Sequence, residues 1–100
     1  MANSGDPIAV QREFGLSHSD FYRIFPRVEP AAEQLAERVF RVSRDDGRGL
    51  EIEISEEKIR RLGVLKIPYI DISFRFTGWS DAQRVEFFEK FDRSFQKGGG

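Results

Sequence analysis

The single histidine of the chain, His18, lies in the run Ser17-His18-Ser19-Asp20, which holds the three residue types of a hydrolase triad. A triad needs an acid that orients the imidazole and an imidazole that reaches the hydroxyl. Neighbours on one helical turn do not meet both demands, so the run reads as a polar helix start. As a metal ligand His18 needs carboxylate partners, and no spacing in the sequence places them. Glu51 and Glu53 stand two apart, on one face of a strand, an arrangement that paired acid–base chemistry uses. With Arg41 expected across a hairpin, they read instead as a solvated face with cross-strand charge pairs. Asp71, Ser73 and Arg75 line one side of a later strand and read the same way. Asp45-Asp46-Gly47 lacks the alternating oxygen ligands and closing glutamate of a calcium loop. Gly47-Arg48-Gly49 lacks the lysine and following helix of a phosphate loop. No catalytic residue, metal site or cofactor is assigned, and the chain reads as a non-enzyme.

Three further groups have types suited to binding. Lys58, Arg60, Arg61 and Lys66 fall in a stretch without an acidic residue. They form a candidate anion or nucleic-acid contact, with Tyr69 available to stack on a base. RNA-recognition sheets need exposed aromatics, whereas Phe74 and Phe76 fall on a buried strand face, so nucleic acid is a secondary expectation. Gly98-Gly99-Gly100 ends the sequence given. Gly99 and Gly100 are a candidate carrier terminus, in the manner of small sulfur carriers and ubiquitin-like modifiers, although in those proteins the tail leaves a strand and here it follows a helical pattern. Tyr22, Trp79 and Phe87 are candidate contacts for a protein partner or a second copy, because large aromatics dominate interface energetics.

These residues must be held by a core that 100 residues can supply, with 39% hydrophobic content and ten phenylalanines. The absence of cysteine removes disulfides, thiolate nucleophiles and zinc–thiolate sites. A formal charge of −1 gives no global attraction to nucleic acid or acidic membranes, so any anion site is local. Neither a basic region leading into an apolar run nor a membrane-length apolar segment occurs, and the chain reads as cytoplasmic, without membrane contact.

The elements follow from periodicity and punctuation. Residues 1–11 read as a flexible leader that settles as a short edge strand near Ile8. Ser17 caps a helix with Asp20 in its first turn and Phe21, Ile24 and Phe25 on its apolar side, limited by Pro26. Residues 29–37, with Pro30 and an alanine-rich run, suit a short second helix. Phe40 and Val42, then Leu50, Ile52 and Ile54, alternate on either side of an Asp-Asp-Gly-Arg-Gly turn and make a hairpin. Residues 55–67 stay open between helix and strand. Ser55 to Gly63 carries helix-like caps and charges, yet Ile59, Leu62, Val64, Leu65 and Ile67 fit neither period. Ile70, Ile72, Phe74 and Phe76 alternate with polar residues in a long strand, with Pro68 at its start or edge. Ser80 and Gln83 have capping-box spacing at the head of a helix over 81–97. Its stripe is Val85, Phe88, Phe91 and Phe95, with Phe87 beside it; Glu86–Lys90 and Glu89–Arg93 are expected ion pairs, and 98–100 is a free tail.

The expected fold is one α+β domain, a small antiparallel sheet of three or four strands with one face covered by a short N-terminal helix and a long C-terminal one. The expected function is an accessory or protein-interaction module whose partner is another protein or a second copy. The alternatives are a carrier acting through Gly100 and a weak RNA or phosphate binder using the basic stretch.

Overall fold

The computed structural model describes residues 7–99, and side chains through residue 95. Its elements run β1 (Ile8–Phe14), α1 (His18–Val28), β2 (Glu33–Ala36), β3 (Val39–Ser43), β4 (Gly49–Ile54), β5 (Lys58–Leu62), β6 (Leu65–Thr77) and α2 (Asp81–Gly99). The α+β class and the helix-covered face stand, but the sheet has six strands rather than three or four. The order is β1-β6-β4-β3-β2, with β5 on the far half of β6 and every pairing antiparallel.

The 13-residue β6 organises the molecule. Its second half is buried on one face through Ile70, Ile72, Phe74 and Phe76, each at most 1% exposed. There it is flanked by β1 and β4, with Ile72 opposite Arg12 on one side and Ile54 on the other. Over that face the helices close an aromatic core. Phe21 of α1 stacks on Phe95 of α2 at 5.6 Å, and Phe91 meets Phe74 edge-on at 5.2 Å. Such geometries add to plain area burial.

Both helices begin as their spacing predicts. Ser17 Oγ accepts from the Asp20 amide at 3.1 Å. Ser80 and Gln83 exchange bonds of 2.8 and 3.1 Å, satisfying two otherwise orphaned amides. The core stripe of α2, however, is Phe87, Phe91 and Phe95, four apart, while Val85 is 59% exposed and Phe88 half-buried. The stripe is rotated from the expected one because Trp79, tied by its Nε1–H to Gly49 O at 2.8 Å, takes the space above the first turn and packs on Phe87. Among the described residues Glu86–Lys90 and Glu89–Arg93 do not close; the ion pairs of α2 are Asp81–Arg84 and Asp92–Arg12.

Helix α1 runs past Pro26 to Val28, because Phe25 is pinned in helical geometry by stacking on Phe21 at 5.0 Å, and the Glu29 amide closes the last turn on Phe25 O at 2.9 Å. Residues 29–37 are not helical. They turn at Glu29–Ala32 and pair with β3 as the short exposed strand β2. Alanine-rich helix propensity is a weak preference, and with only small residues and Leu35 to bury it yields to backbone pairing at the sheet edge. Residues 58–62 resolve as strand. Gly63, expected as a helix stop, has φ +61 and turns the β5–β6 hairpin instead.

The β3–β4 turn shows the expected glycine requirement, with Gly47 at φ +95. Asp46 accepts there from both the backbone and Nε of Arg48. Charge-assisted bonds from Arg48 hold the Asp46 carboxyl below its ordinary 3.8, and Arg23 does the same for Asp20. With folded values depressed, the contribution of each group is complete above its unfolded pKa and is lost as pH falls through the lower folded one. Urea midpoints are therefore expected to decline below about pH 4, and the double variant Asp20→Asn/Asp46→Asn should flatten that decline. An unchanged slope would show that neither carboxylate is linked to folding.

Candidate functional site

The first half of β6 leaves the body of the domain. Strand β1 ends at Phe14 opposite Ile70, and the partner of Leu65–Tyr69 is β5. Pro68 lies where β1 does not reach, so its missing N–H breaks no ladder with that strand. At the base, Ser55 holds Asp71 through its amide to Asp71 O (2.8 Å) and its Oγ to the Asp71 amide (2.9 Å). His18 braces the same point: its Nε2 lies 2.7 Å from Ser55 O and its amide donates to Glu57 Oε1 at 2.8 Å. His18 is therefore a structural clasp between α1 and the root of a hairpin arm, and the hydroxyl of Ser17 is spent on the cap.

The arm has a charged root and an apolar tip. Lys58 Nζ sits 2.8 Å from Asp71, and Arg60 sits 2.7 Å from Glu13. Both cations also lie over the Tyr69 ring, Arg60 at 4.5 Å and Lys58 at 5.8 Å. The carboxylate bonds raise the pKa of Lys58 and of Arg60, so both are firmly charged. Arg61 and Lys66 stand directly opposite each other in register, both exposed, with no ion pair to either among the described residues. Around them Ile59, Leu62 and Leu65 are 51–58% exposed and Val64, at the turn, is 97% exposed. All 17 acidic residues of the chain lie outside 58–69.

The four cations are legible in the sequence, but the apolar tip is not. Its signal was the run Ile59 to Ile67 that fitted no period. Ile59, Leu62, Val64 and Leu65 are left exposed by the described residues, and a period appears only where one face is buried.

The other sequence candidates are dispersed. Trp79 (8% exposed) and Phe87 (6%) belong to the core; Tyr22 is 38% exposed and donates its hydroxyl to Glu37 O at 2.7 Å. Burial first, then Glu37, pushes the Tyr22 phenol up. Glu51, Glu53, Ser73 and Arg75 line a depression of about 380 Å³ on the open sheet face, on the stretch of β6 beyond the root of the arm. Asp71 is engaged by Lys58. Helix α2 continues through Gly99, within the stretch expected as a free tail, and Gly100 lies outside the described residues. A second cleft of about 380 Å³, between α1, the β3–β4 turn and α2, is floored by Trp79 and Phe91 and rimmed by Arg44, Arg48 and Lys90. Its arginines are neutralised locally, Arg44 by Glu29 and Arg48 by Asp46. Among the described residues no cluster of histidine and carboxylates could hold a metal ion, and no helix is long and apolar enough to cross a membrane.

The fold is thus a two-layer α+β domain that extends a cationic, apolar-tipped hairpin from its central strand. No protein-family model, curated protein or solved structure matches the chain.

Proposed function

We propose that the chain is a non-enzymatic interaction module, working in the cytoplasm, whose β5–β6 arm grips an acidic surface with an apolar centre on a partner protein. The observation that carries this reading is the facing pair Arg61 and Lys66 beside four exposed aliphatic residues. Like charges directly opposite on a hairpin are destabilising, and aliphatic side chains in water forgo their burial energy. A partner that inserts carboxylates near the cations and covers the aliphatics offsets both costs. Protein suits the arm better than RNA or free phosphate. The tip is aliphatic rather than aromatic, and the one aromatic ring of the arm, Tyr69, already carries Arg60 and Lys58 instead of offering a stacking platform. The carrier reading rests on Gly100 and draws no support from the arm.

The variant Arg61→Glu tests the proposal because it separates stability from binding. It sets opposite charges across the hairpin, so the folded chain is expected to gain about 0.2–1 kcal/mol in urea unfolding. Capture is compared between immobilised wild type and variant, using extract of the native host with and without nuclease treatment. A stoichiometric acidic protein should be retained by the wild type and lost by the variant. Equal retention by both overturns the proposal, as does binding that vanishes with nuclease.

A further inference from the structure

We infer that β1 is a self-pairing edge: two copies of the chain join β1 to β1 antiparallel, about a two-fold axis at Gln11, into one continuous sheet with the two α2 helices alongside. This inference is independent of the arm. Strand β1 is bonded to β6 over seven residues without a break in register, and among the described residues no strand pairs with its other flank. Sheet edges are ordinarily protected by shortness, bulges, proline or charge. Strand β2, at the opposite end, is four residues long and broken by a register shift between Gln34 and Ala36. Strand β5 carries Lys58, Arg60 and Arg61 in five residues. Strand β1, Ile-Ala-Val-Gln-Arg-Glu-Phe, has none of these devices beyond one adjacent pair of opposite charges.

The edge is also complementary to itself. Full overlap of two copies sets Ile8 against Phe14, Ala9 against Glu13, Val10 against Arg12, and Gln11 against its symmetry mate. No two like charges oppose each other in that register, whereas two β5 strands fully overlapped would set Arg60 against Arg60. In the helix layer above the edge, Phe88 and Asp92 of α2 reach β1, with the Arg12 guanidinium 4.1 Å over the Phe88 ring and paired to Asp92. Val85, one turn earlier on the same side, is 59% exposed, and Ile8 is 42% exposed. An apolar border of Ile8, Val85 and the half-buried Phe88 thus runs beside the open backbone flank. A second copy paired through β1 covers both together, as a two-fold interface requires.

The experiment is cysteine placement in a chain that has no cysteine. Gln11 is exposed on the open face, so Gln11→Cys leaves the core untouched. Residues paired across an antiparallel axis have Cα atoms about 4.5–5.5 Å apart, inside the roughly 4.4–6.8 Å that a disulfide spans. Under mild oxidation Gln11→Cys is expected to convert mainly to a covalent dimer. Ser73→Cys, its neighbour on β6 and equally open, should stay monomeric. Sedimentation of the unmodified chain should show a concentration-dependent dimer, weakened about tenfold or more by Val85→Glu, a change at an exposed position. Arg61→Glu should leave the dimer intact. A wild type that stays monomeric up to millimolar concentration overturns the inference, as does cross-linking no faster than the Ser73→Cys control. Dissociation by Arg61→Glu also overturns it, by moving the interface to the arm. None of these results bears on whether the arm binds another protein.

Discussion

Replacing Phe74 by alanine is expected to lower unfolding stability by about 3–5 kcal/mol, the range for removing a buried aromatic whose surroundings cannot collapse. Phe74 is 1% exposed and touches the rings of Phe14, Phe76, Phe87, Phe88 and Phe91 at centroid distances of 4.9–6.5 Å. Those partners come from β1, β6 and α2, so no single one can move into the void without giving up its own contacts. Domains of this size have about 5–15 kcal/mol in all, and each kcal/mol moves the melting midpoint by roughly 4–8 °C. Urea titration should show a large fall in midpoint with an unchanged slope. A loss below about 1 kcal/mol would mean that the aromatic layer is not packed as described. Glu89→Ala, at an exposed position of the same helix, serves as the small-effect control.

The second large effect is expected at Glu29, which is 8% exposed and forms a two-pronged ion pair with Arg44, at 2.8 and 3.1 Å. This bond keeps the Arg44 guanidinium charged and holds it 5.4 Å from the Trp79 ring. Glu29→Ala strands a cation in the cleft between α1 and the β3–β4 turn. Removing one partner of a fully buried pair costs about 3–5 kcal/mol. Arg44 retains about a third of its side-chain exposure, so water softens the loss, and about 2 kcal/mol is expected. Adding Arg44→Met, which removes the stranded charge and keeps an apolar stem over Trp79, should recover most of it. A double-mutant cycle whose two single effects simply add would show that the pair contributes no coupling.

Legibility in the sequence followed locality. The caps at Ser17 and Ser80, the Asp-Asp-Gly turn and the alternation of Ile70 to Phe76 are decided within a few residues, and each was readable. The strands β2 and β5 were not, because each is a strand by virtue of a partner: β3 for Glu33–Ala36, and β6 for Lys58–Leu62. Their own residues offer a helix former's composition in one case and no period in the other. The phase of α2 is ambiguous by one position because Phe87 and Phe88 are adjacent and both reach Phe74 and Phe76; the packing of Trp79 on Phe87 makes Phe87 the more deeply buried. Of the arm, the charges are legible in composition, whereas the exposure of Leu62, Val64 and Leu65 depends on whether a second layer covers the hairpin, which is decided outside the hairpin itself. The free edge of β1 belongs to the order of strands, which no local pattern records.

That order also bears on how the chain comes together. Strands β2–β3, β3–β4 and β5–β6 pair as consecutive hairpins and β4 reaches β6 past β5 alone, all fairly local closures, but Ile8 must find Phe76 across most of the polypeptide. Closing so long a loop costs entropy that short hairpins do not incur, and such contacts are made late. Strand β1 is therefore the last of the sheet to dock. Until then the inner flank of β6 stands open to the β1 of another molecule as readily as to its own.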